Sequence, residues 1–129
     1  MKSFKILFSI LLLTFIATSC SSDGPLANVK YQIVGLDSSI LQIKYNGSTE
    51  VVTVLNPNNF ANGSDSKKIP IDILPFQTKL EVTVNNTTTI TKHYSLAIYV
   101  DNILKTTYNL DVPANTTSTG TAEYTIYAE

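Results

Sequence analysis

Residues 92–110 read KHYSLAIYVDNILKTTYNL. Within them Tyr94, Leu96, Ile98 and Val100 alternate with His93, Ser95, Ala97 and Tyr99. A period of two places every second side chain on one face of an extended chain, so the first four form a stripe that a core can cover. Asp101-Asn102 follows, and both residue types tolerate the positive φ that a tight hairpin requires. Beyond the turn, Leu104, Thr106, Tyr108 and Leu110 are expected to share a side on the returning strand. A hairpin with one greasy face cannot stand alone; the remaining chain has to supply the surface that buries it.

The same pattern recurs outward in both directions. Val29, Tyr31 and Ile33 alternate, as do Leu41, Ile43 and Tyr45, and Leu80, Val82 and Val84. Asn46-Gly47 reads as a hairpin tip returning through Glu50 to Leu55, and Asn85-Asn86 as a turn. Lys68 to Leu74 is a strand broken by Pro70, which cannot donate to a ladder and therefore belongs at an edge or a bulge. A polar loop from Pro113 to Gly120 precedes a last strand with Ala122, Tyr124 and Ile126 inward. Short β-branched runs separated by turn residues predict an all-β domain over residues 28–129, a small antiparallel, Ig-like β-sandwich of about seven or eight strands.

The start of the chain has a different character. Lys2 and Lys5 precede an apolar run from Ile6 to Ile16, and Ala17-Thr18-Ser19-Cys20 follows. A charged start, a short apolar stretch and small residues before a cut site make a secretory signal over residues 1–19. As a helix the run would be about 16 Å long, against a hydrocarbon core of roughly 30 Å, too short for a comfortable span. Ala17-Thr18-Ser19-Cys20 resembles a bacterial lipobox. The resemblance implies that the thiol of Cys20 takes a diacylglycerol and that cleavage exposes Cys20 for further acylation. The competing reading is an ordinary signal peptide that leaves Cys20 as a free thiol. Several acyl chains anchor a protein stably without any transmembrane helix. Residues 20–27 then read as the lipidated cysteine and a flexible tether. Ser21-Ser22-Asp23 resembles the start of lipoproteins of Bacteroidetes-type bacteria. Ser22, in place of the aspartate that retains lipoproteins in the inner membrane of enteric bacteria, points to the outer membrane. The expected location is the bacterial cell envelope, on its periplasmic face or at the cell surface.

The order of the strand motifs is similar to that of the mycobacterial membrane small proteins (MmpS). Tyr31 to Gly35, Ile43-Lys44-Tyr45-Asn46-Gly47, Leu74-Pro75-Phe76 and Ile98-Tyr99-Val100-Asp101-Asn102 carry the likeness. It implies a periplasmic β-sandwich and an accessory role beside an envelope transport or export system. That family usually has a disulfide between the strand before the hairpin and the last strand. Here Leu96 stands near the first position, and Tyr124, Ile126 and Tyr127 fill the end of the chain. The family's anchor is a helix rather than a lipid.

Composition narrows the function. Nine lysines face ten carboxylates, the net charge is −1, and there is one His and one Cys. No basic excess exists to neutralise a phosphate backbone, so nucleic acid is not an expected partner. One Cys with one His cannot build a four-ligand zinc site, and the loop from Asn58 to Asp65 fails the calcium pattern because Phe60 and Ile69 stand where ligands are required. No metal or other cofactor is expected. His93 lies opposite the apolar stripe with no nucleophile at a recognised spacing, so no catalytic residue is expected and a small hydrolase ranks last. Tyr99 and Tyr127 fall out of phase with the inward stripes and form the expected binding surface. The leading expectation is a non-enzymatic binding or accessory module for an envelope protein, held to the membrane by its N-terminal lipid. The alternative is a carrier of an apolar ligand in an inter-sheet cleft.

Cys20→Ala is expected to leave a full-length precursor that no longer incorporates radiolabelled palmitate. Unchanged labelling of that variant would refute the anchor.

Overall fold

The computed structural model describes residues 24–62 and 64–129. The signal segment and Cys20 lie outside them. The described chain forms eight strands: β1 (Ala27–Val34), β2 (Ile40–Asn46), β3 (Val51–Val54), β4 (Ser66–Ile71), β5 (Phe76–Asn86), β6 (Lys92–Val100), β7 (Ile103–Val112) and β8 (Thr116–Ile126). They make two four-stranded antiparallel sheets, ordered β4-β1-β6-β7 and β3-β2-β5-β8, packed as a sandwich. Only β2–β3 and β6–β7 are hairpins within a sheet; every other connection crosses between the layers. Residue Ala27, expected in the tether, is already buried at the head of β1, and the Leu26 amide donates to Ile71 O at 2.8 Å.

The alternating stripes supply the core. Val29, Tyr31 and Ile33 from β1, Leu80, Val82 and Val84 from β5, and Tyr94, Leu96 and Ile98 from β6 are all buried in one cluster. Lys67, Lys68 and Pro70 sit on β4, which is an edge strand, as the missing proline donor demands. Asp101 and Asn102 have φ of 49° and 66°, so the turn between β6 and β7 is left-handed at both positions.

An aromatic train runs across the gap. The rings of Tyr31 on β1 and Tyr45 on β2 lie 5.4 Å apart, and Phe60 meets Tyr45 edge-on at 5.8 Å. Phe60 comes from the β3–β4 connection, where Pro57–Asn59 form one 3₁₀ turn capped by the Asn56 side chain. Phe60 is only 1% exposed, so a loop read as polar from sequence contributes a core residue and closes the sandwich between β3 and β4.

Five local expectations are corrected. Asn46 and Gly47 are not left-handed; Gly47–Glu50 is a four-residue connection closed by Gly47 N donating to Glu50 O at 2.7 Å. Glycine is required there for space, since a Cβ would stand 2.9 Å from Glu50 O. Leu41 is exposed, because the register slips between Ile40 and Gln42 and Ile40 takes the inward place. Asn86 is not a turn residue but the buried last residue of β5. Leu104 pairs with Tyr99 across a second register shift and leaves the side shared by Thr106, Tyr108 and Leu110. The loop before β8 is only Pro113 to Asn115, with Asn115 left-handed at φ 55°.

Phe60→Ala is expected to cost about 3–5 kcal/mol of unfolding free energy in urea titration, as for a large core aromatic. Ile90→Ala, at a highly exposed loop position, should stay within about 0.5 kcal/mol. Equal effects would place Phe60 outside the core.

Candidate binding surfaces

The two ends of the sandwich differ. At the end where β1 begins, the strands stop short of closing the gap. Leu26, Val100, Ile103, Tyr124, Ile126 and Tyr127 wall a groove of about 510 Å³, with Asp101, Lys105 and Glu129 also lining it. Ile103 is 60% exposed and Tyr127 71%, so the walls are wet and nothing in the described chain covers them. The 101–102 hairpin is fixed against β1: Asn28 N donates to the Asp101 carboxylate at 2.9 Å, and Asp101 N donates to Asn28 O at 2.9 Å. Lys105 Nζ stands 5.7 Å from the Tyr124 ring centre, a cation–π contact on the groove wall.

The two tyrosines singled out from the sequence therefore part company. Tyr127 follows β8 and lines the groove. Tyr99 lies on the outer face of its sheet, half-buried, with Lys30 Nζ 4.0 Å over its ring. The groove residues Leu26 and Ile103 gave no sequence signal, because strand phase says nothing about how far two sheets separate at their ends.

The opposite end is sealed by polar bonds. Asp37 accepts from Lys92 Nζ at 2.9 Å, Tyr94 OH at 2.9 Å and Ser39 N at 2.9 Å, and Lys92 also donates to Ser39 Oγ at 2.6 Å. Burial alone would raise the Asp37 carboxyl; the bonds from Lys92, Tyr94 and Ser39 outweigh it and hold it below the usual carboxylate range. Burial and the same carboxylate push Tyr94 up to about 12. The carboxylate, the ammonium and the phenol are thus committed to one another, which makes a clamp on the loop after β1. Beside it, buried Asn86 donates through Nδ2 to Ile90 O at 2.7 Å and Val112 O at 2.9 Å, while its Oδ1 accepts from Thr88 N at 3.0 Å. Neither residue was singled out for this role from sequence; the Asp37-Ser-Ser run was the one available signal, since Asp bonds readily to a backbone two residues on.

His93 faces Asp111 across the β6–β7 ladder, Nδ1 to Oδ1 2.6 Å. The two side chains are 72% and 67% exposed and lie on an open strand face rather than in a cleft. Among the described residues the ring makes no other side-chain hydrogen bond, so no nucleophile is held within its reach. No cluster of three His, Cys, Asp or Glu stands ready for a metal among the described residues. Nor is any helix among them long and apolar enough to cross a membrane. No family model, curated protein or solved structure matches this chain.

The clamp carries a pH signature. A carboxyl whose folded pKa lies below its unfolded value of about 3.9 stabilises fully above that value. The contribution is lost as pH falls through the lower folded value. Asp37→Asn should therefore lower stability by about 1 kcal/mol at neutral pH, an amount kept small by partial exposure. Its Tm should converge on that of the parent chain as pH falls through the lowered folded value. A Tm difference that persists unchanged into acid would rule out the carboxylate as the cause.

Proposed function

We propose that this protein is a lipid-anchored lipoprotein of the bacterial cell envelope and acts there as a non-enzymatic binding or accessory module. Cys20 carries the lipid, the outer membrane holds it, and the sandwich presents its open end to an envelope protein. The partner class implied by the likeness to the mycobacterial membrane small proteins is a transport or export system. The observation that carries this reading is the position of the wet apolar groove. Leu26, a few residues downstream of Cys20, is one of its walls, so an uncovered apolar surface lies close in sequence to the anchoring residue. Exposed aromatic and aliphatic side chains rimmed by charge are the anatomy of a protein-binding patch. A second hollow of about 420 Å³, lined by Ile40, Leu41 and Leu55, opens beside the clamped end.

A second reading has one specific observation in its favour. A groove of about 510 Å³ between the sheet ends lies within the size range of small-molecule pockets. A carrier would hold an apolar ligand there against Ile103 and Tyr124.

A photoreactive amino acid at Tyr127 separates these readings in intact envelopes. The module predicts cross-linking to a discrete protein, abolished by Ile103→Asp, while the same probe at Thr83 on the outer face of β5 gives none. Equal products from both positions would overturn the assignment of this end. A small apolar mass retained on the native protein, with no protein cross-link at Tyr127, would establish the carrier instead.

A further inference from the structure

We infer that β8 is a self-association edge: two copies of this chain pair their β8 strands antiparallel about a two-fold axis at Thr121, joining two β3-β2-β5-β8 sheets into one. The inference is independent of the lipid, and the joint takes in Tyr124 and Ile126, which also wall the groove. Four strands terminate the sheets: β3, β4, β7 and β8. An edge strand presents unpaired N–H and C=O groups, and monomeric proteins blunt such edges with shortness, lysine, proline or bulges. Three of the four are blunted. β3 has four residues. β4 carries Lys67, Lys68 and Pro70. β7 holds Lys105 as an extra residue where the ladder to β6 slips. β8 has none of these devices. It is eleven residues long, without Lys or Pro, and keeps unbroken register with β5 from Thr116 to Ile126. Its one charge is Glu123.

The sequence of β8 also suits a copy of itself. Thr121 is the midpoint of the strand, so an axis there pairs its whole length. On the outer face Thr119 then meets Glu123, and Thr117 meets Thr125. On the inner face Gly120 meets Ala122, Ser118 meets Tyr124, and Thr116 meets Ile126. No like charges oppose, and small residues face large ones. An axis at Glu123 would instead set two carboxylates against each other and shorten the overlap. Antiparallel ladders admit a two-fold at either kind of residue pair, so the geometry is permitted at Thr121. The contact is isologous, which uses up both β8 edges and stops assembly at two copies. Tyr108 of the overlying β7 lies against Gly120, where a Cβ would come within 2.8 Å of the ring, and flanks the joint on its inner side.

Thr121→Cys in the full chain, oxidised mildly in cells, should give a disulfide-linked dimer well above that of the unsubstituted chain. Glu81→Cys, the cross-strand neighbour of Thr121 on β5, should not exceed that baseline. It lies one strand spacing, about 4.8 Å, further from the axis on each side, beyond disulfide reach. Thr121→Lys keeps the fold, because the new cation sits beside Glu81 within its own sheet, yet it sets two cations opposite each other at the axis. It should weaken the dimer about fivefold in light scattering, with an unchanged melting midpoint. Equal cross-linking at positions 121 and 81, or none at 121, would overturn the inference. So would an unsubstituted chain that stays monomeric at about 1 mM, the weak end of specific association.

Discussion

A phenol placed between two sheets loses its water, and the Tyr31 hydroxyl has to find replacements in the gap. It donates to Asn46 O at 2.8 Å and accepts from Lys79 N at 3.4 Å. Burial pushes its pKa well above the ordinary tyrosine range, so the group stays a neutral donor. Tyr31 belongs to β1 in one layer, whereas Asn46 and Lys79 belong to β2 and β5 in the other. The bond therefore sets how far one sheet slides over its neighbour. Apolar contacts alone would tolerate several offsets, but a buried hydroxyl left without partners costs about 1–3 kcal/mol. Tyr45 and Phe60 continue the chain of contacts to the far edge, which makes the β3–β4 loop part of the core.

The two ends of the molecule follow from what each offers its backbone. At one end Asp37 and Asn86 gather loop amides, carbonyls and a lysine, so the connections after β1 and β5 are held in place by saturated polar bonds. At the other end the hairpin at Asp101 is fixed to β1, but among the described residues no side chain fills the space between Ile103 and Tyr127. The groove thus leaves apolar surface for something else to cover. The unblunted β8 edge offers the complementary resource, free backbone rather than free apolar area. Groove and edge meet at Tyr124 and Ile126, which belong to both.

Much of the fold was legible because a half-buried strand writes its pattern at period two. Tyr94, Leu96 and Ile98 face inward as their spacing demands, and Pro70 stands on an edge. Departures arise wherever one residue is added to a strand. The slips at Ile40/Gln42 and at Ile98/Tyr99 each break the phase with the residues that follow in β2 and β7, which leaves Leu41 and Leu104 turned to solvent. A bulge leaves no mark in hydropathy. Asn86 misled for another reason: asparagine serves turns with its backbone or with its side chain, and here the side chain organises the loop from inside the core.

The sequence alone was enough to determine an all-β sandwich, its main inward stripes, its tight turn at Asp101-Asn102 and the separate character of the first twenty residues. These are local properties, set by side-chain periodicity, by which residues accept positive φ and by runs of apolar composition. Tertiary structure alone decided which strands became edges, where the sheets part to leave a groove, and which polar side chains seal the other end. Each of those depends on pairing between residues far apart in the chain, and period-two hydropathy is the same whichever strand lies alongside.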